Sequence, residues 1–249
     1  MNIRLWNWIH KLGSAKHFYR FSSLILPGLW VVSVLILSLG LYAGLVLAPA
    51  DYQQGDSFRI MYIHVPAAIL SQSSYVMMAS MGALFLIWKI KLADVAMRTV
   101  APIGAAITFV ALLTGAIWGK PTWGTWWVWD ARLTSTLILM FLFLGVLAIR
   151  NAAGNGPAAG RMAAILAVIG VINLPIIKYS VDWWFTLHQP ASFSLTERPT
   201  MPVEMWLPLV VMILGFYCWF FALWILRIRT EVLVTDANKD WVRQLVNQR

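Results

Sequence analysis

The chain has 249 residues, of which 60% are hydrophobic and only 12% charged, and it carries a net charge of +9. Such a composition belongs to a polytopic membrane protein and excludes a string of ordinary soluble domains. The basic residues lie in short segments flanking apolar runs, which marks membrane topology and excludes a nucleic-acid-binding surface.

Residues 1–20 open with LWNWIHKLGSAKHFYRF, where aromatic and basic residues interleave. This predicts a cytoplasmic amphipathic arm lying on the inner membrane surface, with His10 and His17 as solvated polar groups. The apolar run that follows, about 23–47, ends near the small-residue sequence APA at 48–50. A secretory core is only about 7–15 residues long, so the run reads as an anchor and not a cleaved signal. Five more runs follow, at about 64–88, 99–118, 133–149, 162–178 and 205–226. The predicted fold is therefore all-α, a single integral membrane unit of six transmembrane helices with structured outer loops. The fourth and fifth runs are short for a full crossing, and Asn173 and Pro175 are expected to unwind the outer end of the fifth.

Fourteen of the 19 Lys and Arg residues fall in the N-terminal arm, the 89–98 and 150–161 loops, and the 227–249 tail. The remaining five are Arg59, Lys120, Arg132, Lys178 and Arg198. The positive-inside rule puts both termini in the cytoplasm, and the loops 48–63, 119–132 and 179–204 on the other side.

Two of the four histidines, His64 in MYIHVPAAIL and His188 in VDWWFTLHQP, fall on that outer side beside aromatic clusters. A single interfacial histidine is simply explained as a hydrogen-bonding group at the head-group layer. Two on one side suggest ligation, since neutral imidazole is the usual axial ligand of haem iron. Zinc fits less well, because the outer loops hold no cysteine and no H-x-x-x-H spacing. The lone cysteine, Cys218, lies inside the sixth run, and no C-x-x-C-H appears, so covalent haem attachment to this chain is excluded.

The stretch 118–133 reads WGKPTWGTWWVWDARL. An interfacial aromatic belt explains one or two indoles per crossing, but not Trp118, Trp123, Trp126, Trp127 and Trp129 together. Gly119, Pro121 and Gly124 predict a structured loop or short interfacial helix here. Trp126 with Trp129, or Trp123 with Trp127, would share a face if the segment were helical. Indoles in this number suit a flat, conjugated, apolar ligand. Arg59, Lys120 and Arg132 are cations placed to meet a ligand's carboxylates, or equally to snorkel to lipid phosphates. Asp130 is expected to cap the fourth span.

WGTWWVWDARLTS resembles the tryptophan-rich, aspartate-ended "WWD" signature of the haem-handling membrane proteins of cytochrome c biogenesis. PADYQQGDSFRIMYIHVPAA and NLPIIKYSVDWWFTLHQP are similar to the segments around the two outer histidines in the shorter members of that family. The chain departs from the pattern at Thr136, where a glutamate often follows LTS, and at Lys178, where a histidine can follow PII. The resemblance implies non-covalent haem b, held on the periplasmic side of a bacterial inner membrane. His64 and His188 would be axial ligands, against a platform of Trp123, Trp126, Trp127, Trp129 and Asp130. It further implies delivery to a periplasmic haem chaperone and no enzymatic role of the chain's own. An ATP-binding cassette transporter, with its ATP-binding and membrane subunits, and a small single-span subunit are the implied neighbours. The competing classes are a b-type electron-transfer cytochrome, which normally needs histidine pairs within the spans, and a transporter, which normally shows ionisable residues mid-span.

Overall fold

The computed structural model describes residues 13–154, 156–188 and 199–247. Most of the N-terminal arm, with His10, and the 189–198 segment, with Arg198, lie outside the described residues. Six helical stretches are long and apolar enough to cross a membrane: Ala15–Leu47, Asp56–Trp88, Lys91–Trp123, Ala131–Ala153, Pro157–Trp183 and Val203–Thr235. Within them the regular helices are α1 (Ala15–Tyr42), α2 (Met61–Trp88), α3 (Lys91–Trp123), α4 (Ala131–Ala153), α5 (Pro157–Ile169), α6 (Asn173–Trp183) and α7 (Val203–Thr235). A short α8 (Asp240–Asn247) follows.

The helices outrun the apolar windows because polar groups build their ends. Ser14 caps α1, so the helix starts at Ala15, inside the basic arm. Asp130 caps α4, as expected, by accepting the Leu133 N–H at 2.7 Å. At its other end α4 continues to Ala153, past Arg150, whose guanidinium is paired with Asp94 of α3. The fourth and fifth crossings are therefore 23 and 27 residues long, full spans and not short ones. Neither Gly119 nor Pro121 stops α3, contrary to expectation. Pro121 falls in the last turn, where little laddering remains to lose. Gly124, at φ 77°, is the actual terminator, and Lys120 Nζ donates to its carbonyl at 3.0 Å.

α2 and α3 form the most extensive pair, and α1 packs chiefly on α7. In lipid there is little hydrophobic drive between helices, so close approach relies on small residues. α2 buries Ala67, Ser71, Ser74, Ala79 and Gly82, while α3 buries Ala101, Gly104, Ala105, Thr108 and Ala111. Around that seam the large, fully buried side chains Tyr75, Met78, Leu139 and Phe143 fill the middle of the bundle. Tyr75 meets Phe143 edge to face at 5.0 Å.

The fifth crossing is interrupted by a 3-10 turn at Gly170–Ile172, between α5 and α6. The expected irregularity exists, but it precedes Asn173 and Pro175, which lie in the resumed helix α6. The Tyr75 hydroxyl lies against this break, where a side chain on Gly170 would stand, and donates to the Leu166 carbonyl at 3.5 Å. Asn173 then ties α6 to α4, its amide donating to the Ser135 carbonyl at 2.8 Å.

Candidate functional site

His64 projects from the first turn of α2 onto α3. Its Nδ1 lies 3.0 Å from the Ala111 carbonyl and 3.1 Å from Thr114 Oγ1. A carbonyl oxygen can only accept, so Nδ1 carries the proton; Thr114 spends its own hydroxyl hydrogen on Val110 O at 2.6 Å. The tautomer is thus set with the lone pair on Nε2, the arrangement that backbone-anchored metal-binding histidines use. Gly115 leaves room for the ring, since a Cβ there would stand 2.9 Å from His64 Cε1. Trp118 meets the imidazole edge-on at 5.7 Å, and its indole N–H donates to Gln54 Oε1 at 2.7 Å. Residues 111, 114, 115 and 118 share one face of α3, so a single helical stripe seats this histidine.

His188 is held differently. It sits in the loop after α6, with its side chain 20% exposed. Its backbone N–H donates to Thr186 Oγ1 at 3.1 Å, and the Thr186 hydroxyl donates to Asp130 Oδ2. That carboxylate oxygen lies 3.7 Å from His188 Nδ1, beyond hydrogen-bond distance, and Nδ1 is buried with no hydrogen-bond partner. Trp123 packs against the ring at 4.8 Å. Burial, reinforced by the Arg132 charge and opposed by Asp130, pushes the His188 pKa down to about 4. At neutral pH it is therefore an uncharged imidazole, the ligating form.

One cavity of about 100 Å³ joins the two, lined by His64, Gln72, Trp123, Arg132, Thr136 and His188 among others. Among the described residues the Arg132 guanidinium makes no hydrogen bond or ion pair, feeling Asp130 and Asp182 only at longer range, so its donors remain available to this space. A macrocycle needs more room than about 100 Å³, since ligand pockets commonly measure roughly 300–1,000 Å³. The fit to haem is thus chemical: two neutral imidazoles, a guanidinium without a hydrogen bond among the described residues, and an indole wall around one opening.

The five clustered tryptophans separate into three roles. Trp118 and Trp123 each touch a histidine. Trp127 is half-buried, its Nε1 lacks a hydrogen-bond partner, and its ring meets Trp129 edge to face at 5.4 Å. Trp126 and Trp129 are 57% and 75% exposed. Neither Trp126 with Trp129 nor Trp123 with Trp127 shares a helical face, because residues 124–130 are not helical once Gly124 has ended α3. Gly119 also has a positive task, since a Cβ there would lie 3.0 Å from the Trp123 ring that folds back over it.

Arg59 lies outside the cavity lining. It bonds Asp56 at 2.9 Å and, also at 2.9 Å, the Gly44 carbonyl in the π-helical turn Ala43–Leu47 that ends the first crossing. Lys178 lies over the ring of its neighbour Tyr179. Thr136 lines the cavity and donates to the Arg132 carbonyl at 2.7 Å. Sequence reasoning missed Thr114, Gly115, Gln54 and Thr186. The A-x-x-T-G-x-x-W spacing of 111–118 was the available signal for the first two, while Thr186 is found only through the fold.

Comparison with known proteins agrees with this architecture. The family described as heme exporter protein C matches residues 8–243. Heme exporter protein C of Haemophilus influenzae is 47% identical over 241 residues, covering 97% of this chain and 98% of that protein. The Escherichia coli K12 protein of the same description is 46% identical over 245 residues, covering 98% and 99%. That of Bradyrhizobium diazoefficiens is 48% identical over 224 residues, covering 89% and 84%. With six candidate spans and matches along nearly its whole length, this chain belongs to the heme exporter protein C family.

Proposed function

We propose that this chain binds haem b non-covalently at the periplasmic surface of a bacterial inner membrane and presents it to a periplasmic haem chaperone. The basic-residue distribution supports an orientation with both termini in the cytoplasm. The observation that carries the reading is the single cavity shared by His64, His188, Arg132 and Trp123.

When bound, haem supplies the iron and the reactive vinyl edge; the chain supplies position. His64 offers Nε2 because Nδ1 is committed to α3. His188 offers a neutral imidazole from a loop that Thr186 ties to Asp130. Arg132 meets a carboxylate with a two-pronged donor. The indoles cover the site from water and from lipid. An ATP-binding cassette transporter and a small single-span subunit are the neighbours that family membership favours.

A pore through the bundle is less well supported. Ser71 and Gln72 carry the cavity one to two turns inward from His64, but one turn further Tyr75 and Phe143 are fully buried against each other. A transmembrane electron-transfer chain would need a second histidine pair, and His17 is the only other histidine among the described residues.

The test is to purify His64→Ala, His188→Ala and the double variant, and record haem content and optical spectrum. Each single variant is expected to shift the spectrum and lose most of its haem. Full haem content with an unchanged spectrum in the double variant would refute the ligand assignment.

A further inference from the structure

The opposite, basic end of the bundle holds a second built cavity. One chamber of about 350 Å³ lies among the start of α1, the start of α3, the end of α7 and α8. Lys16, Lys91 and Lys239 reach it, and Leu92, Val95 and Trp241 form its apolar wall. A second chamber of about 260 Å³ shares Lys16 and Trp241 with the first and adds Tyr19, Arg20 and Gln244.

The charge is unbalanced. Asp236 is the one carboxylate lining either chamber among the described residues, and both its oxygens are engaged. Lys239 Nζ lies 2.7 Å from Oδ1, and the Trp241 indole N–H donates to Oδ2 at 3.3 Å. Lys16, Arg20 and Lys91 are exposed and form no ion pair among the described residues. α8, which forms the lid, is amphipathic: Val242 is buried and Trp241 packs at 5.7 Å from Tyr19, while Asp240 and Arg243 face outward.

We propose that this groove binds the headgroup of an anionic phospholipid of the inner leaflet, its phosphate on Lys16 between Lys91 and Arg20, its acyl chains along Leu92 and Val95. Cations and apolar wall lie side by side, as the junction of a lipid's head and tails requires. A free phosphate ion has no use for Leu92, Val95 and Trp241, and a flat acidic protein surface would leave both chambers unfilled. The proposal shares with the haem reading only the orientation of the bundle.

The test is native mass spectrometry of the full-length protein from nanodiscs of phosphatidylglycerol or of phosphatidylcholine, with Lys16→Gln/Lys91→Gln beside it. The control is Lys89→Gln, an exposed lysine outside the groove. Preferential retention of phosphatidylglycerol is expected, weakened roughly thirtyfold in the double variant, at about fivefold per cation, and unchanged in the control. A single symmetric size-exclusion peak and an unchanged far-UV circular dichroism spectrum in the double variant would show that it has folded. Equal retention of phosphatidylcholine, or retention undiminished in the double variant, would overturn the proposal. Displacement of the lipid by millimolar inorganic phosphate would assign the cations to a free oxyanion instead. Loss of a co-purifying acidic subunit with lipid retention intact would assign them to a protein surface.

Discussion

The two histidines reach the same cavity from unlike supports. His64 stands on a regular helix and is fixed by hydrogen bonds to a second helix, with Gly115 cut away to admit its ring. His188 hangs in a loop, steadied at one remove through Thr186 and Asp130, with Nδ1 left without a partner. Under the proposed delivery role, that asymmetry would let the firmly held residue retain haem while the looser one releases it.

The strongest way to break the comparison is Gly115→Leu, which drives a side chain into the His64 ring. Overpacking commonly costs about 1–3 kcal/mol, so haem retention should fall about tenfold or more with the helix intact. Wild-type retention, measured by pyridine haemochrome after detergent extraction, would show that His64 is not held against α3.

Asp130 tests the other side. Asp130→Ala removes both a helix cap, at about 1 kcal/mol, and the anchor of the His188 loop. Thr186→Val removes only the anchor, and a hydrogen bond of this kind contributes about 1 kcal/mol. Both variants should alter the His188-dependent part of the haem spectrum and lower Tm, Asp130→Ala by about twice as much because it loses the cap as well as the anchor. A normal spectrum in Thr186→Val would cut the proposed link from Asp130 to His188.

The pH response sharpens the contrast further. Burial lowers the His188 pKa to about 4 in the folded protein, against an ordinary value near 6.5. Between these values the unfolded chain binds the proton and the folded one does not, so stability rises with pH across that window. It is fully present above about 6.5 and is lost as pH falls toward 4. Imidazole NMR of the haem-free protein should show His188 titrating near 4; a titration near 6.5 would contradict the burial described here.

The smallest effect is expected from Trp126→Ala/Trp129→Ala, because both indoles face outward. The haem spectrum should be unchanged, whereas Trp123→Ala should perturb it through His188. A reversed order would return the platform role to the exposed pair.

Six spans and the cap at Asp130 were legible because hydropathy and a helix-capping aspartate are local signals, and their aromatic settings singled out the two histidines that share one cavity. The tryptophan run misled on its secondary structure, since glycine and proline were read as breakers. In fact Gly119 clears space for Trp123 inside a continuing helix, and only Gly124 adopts the left-handed conformation that ends it. Thr186 could not be found from sequence, because its partner Asp130 is 56 positions away and nothing in the spacing joins them. Arg59 reads as a ligand-facing cation by position alone, and only the fold reveals its commitment to the Gly44 carbonyl.

The 3-10 turn beside Tyr75 sets an angle. A 3-10 turn advances about 120° per residue against about 100° in an α-helix, so three residues rotate everything downstream by about 60°. Gly170–Ile172 therefore aims α6, and with it the loop that ends in His188, like a twist set partway along a shaft. The bearing of the His188 loop is thus decided in the interior of the bundle, at a break that lies against a tyrosine of another helix.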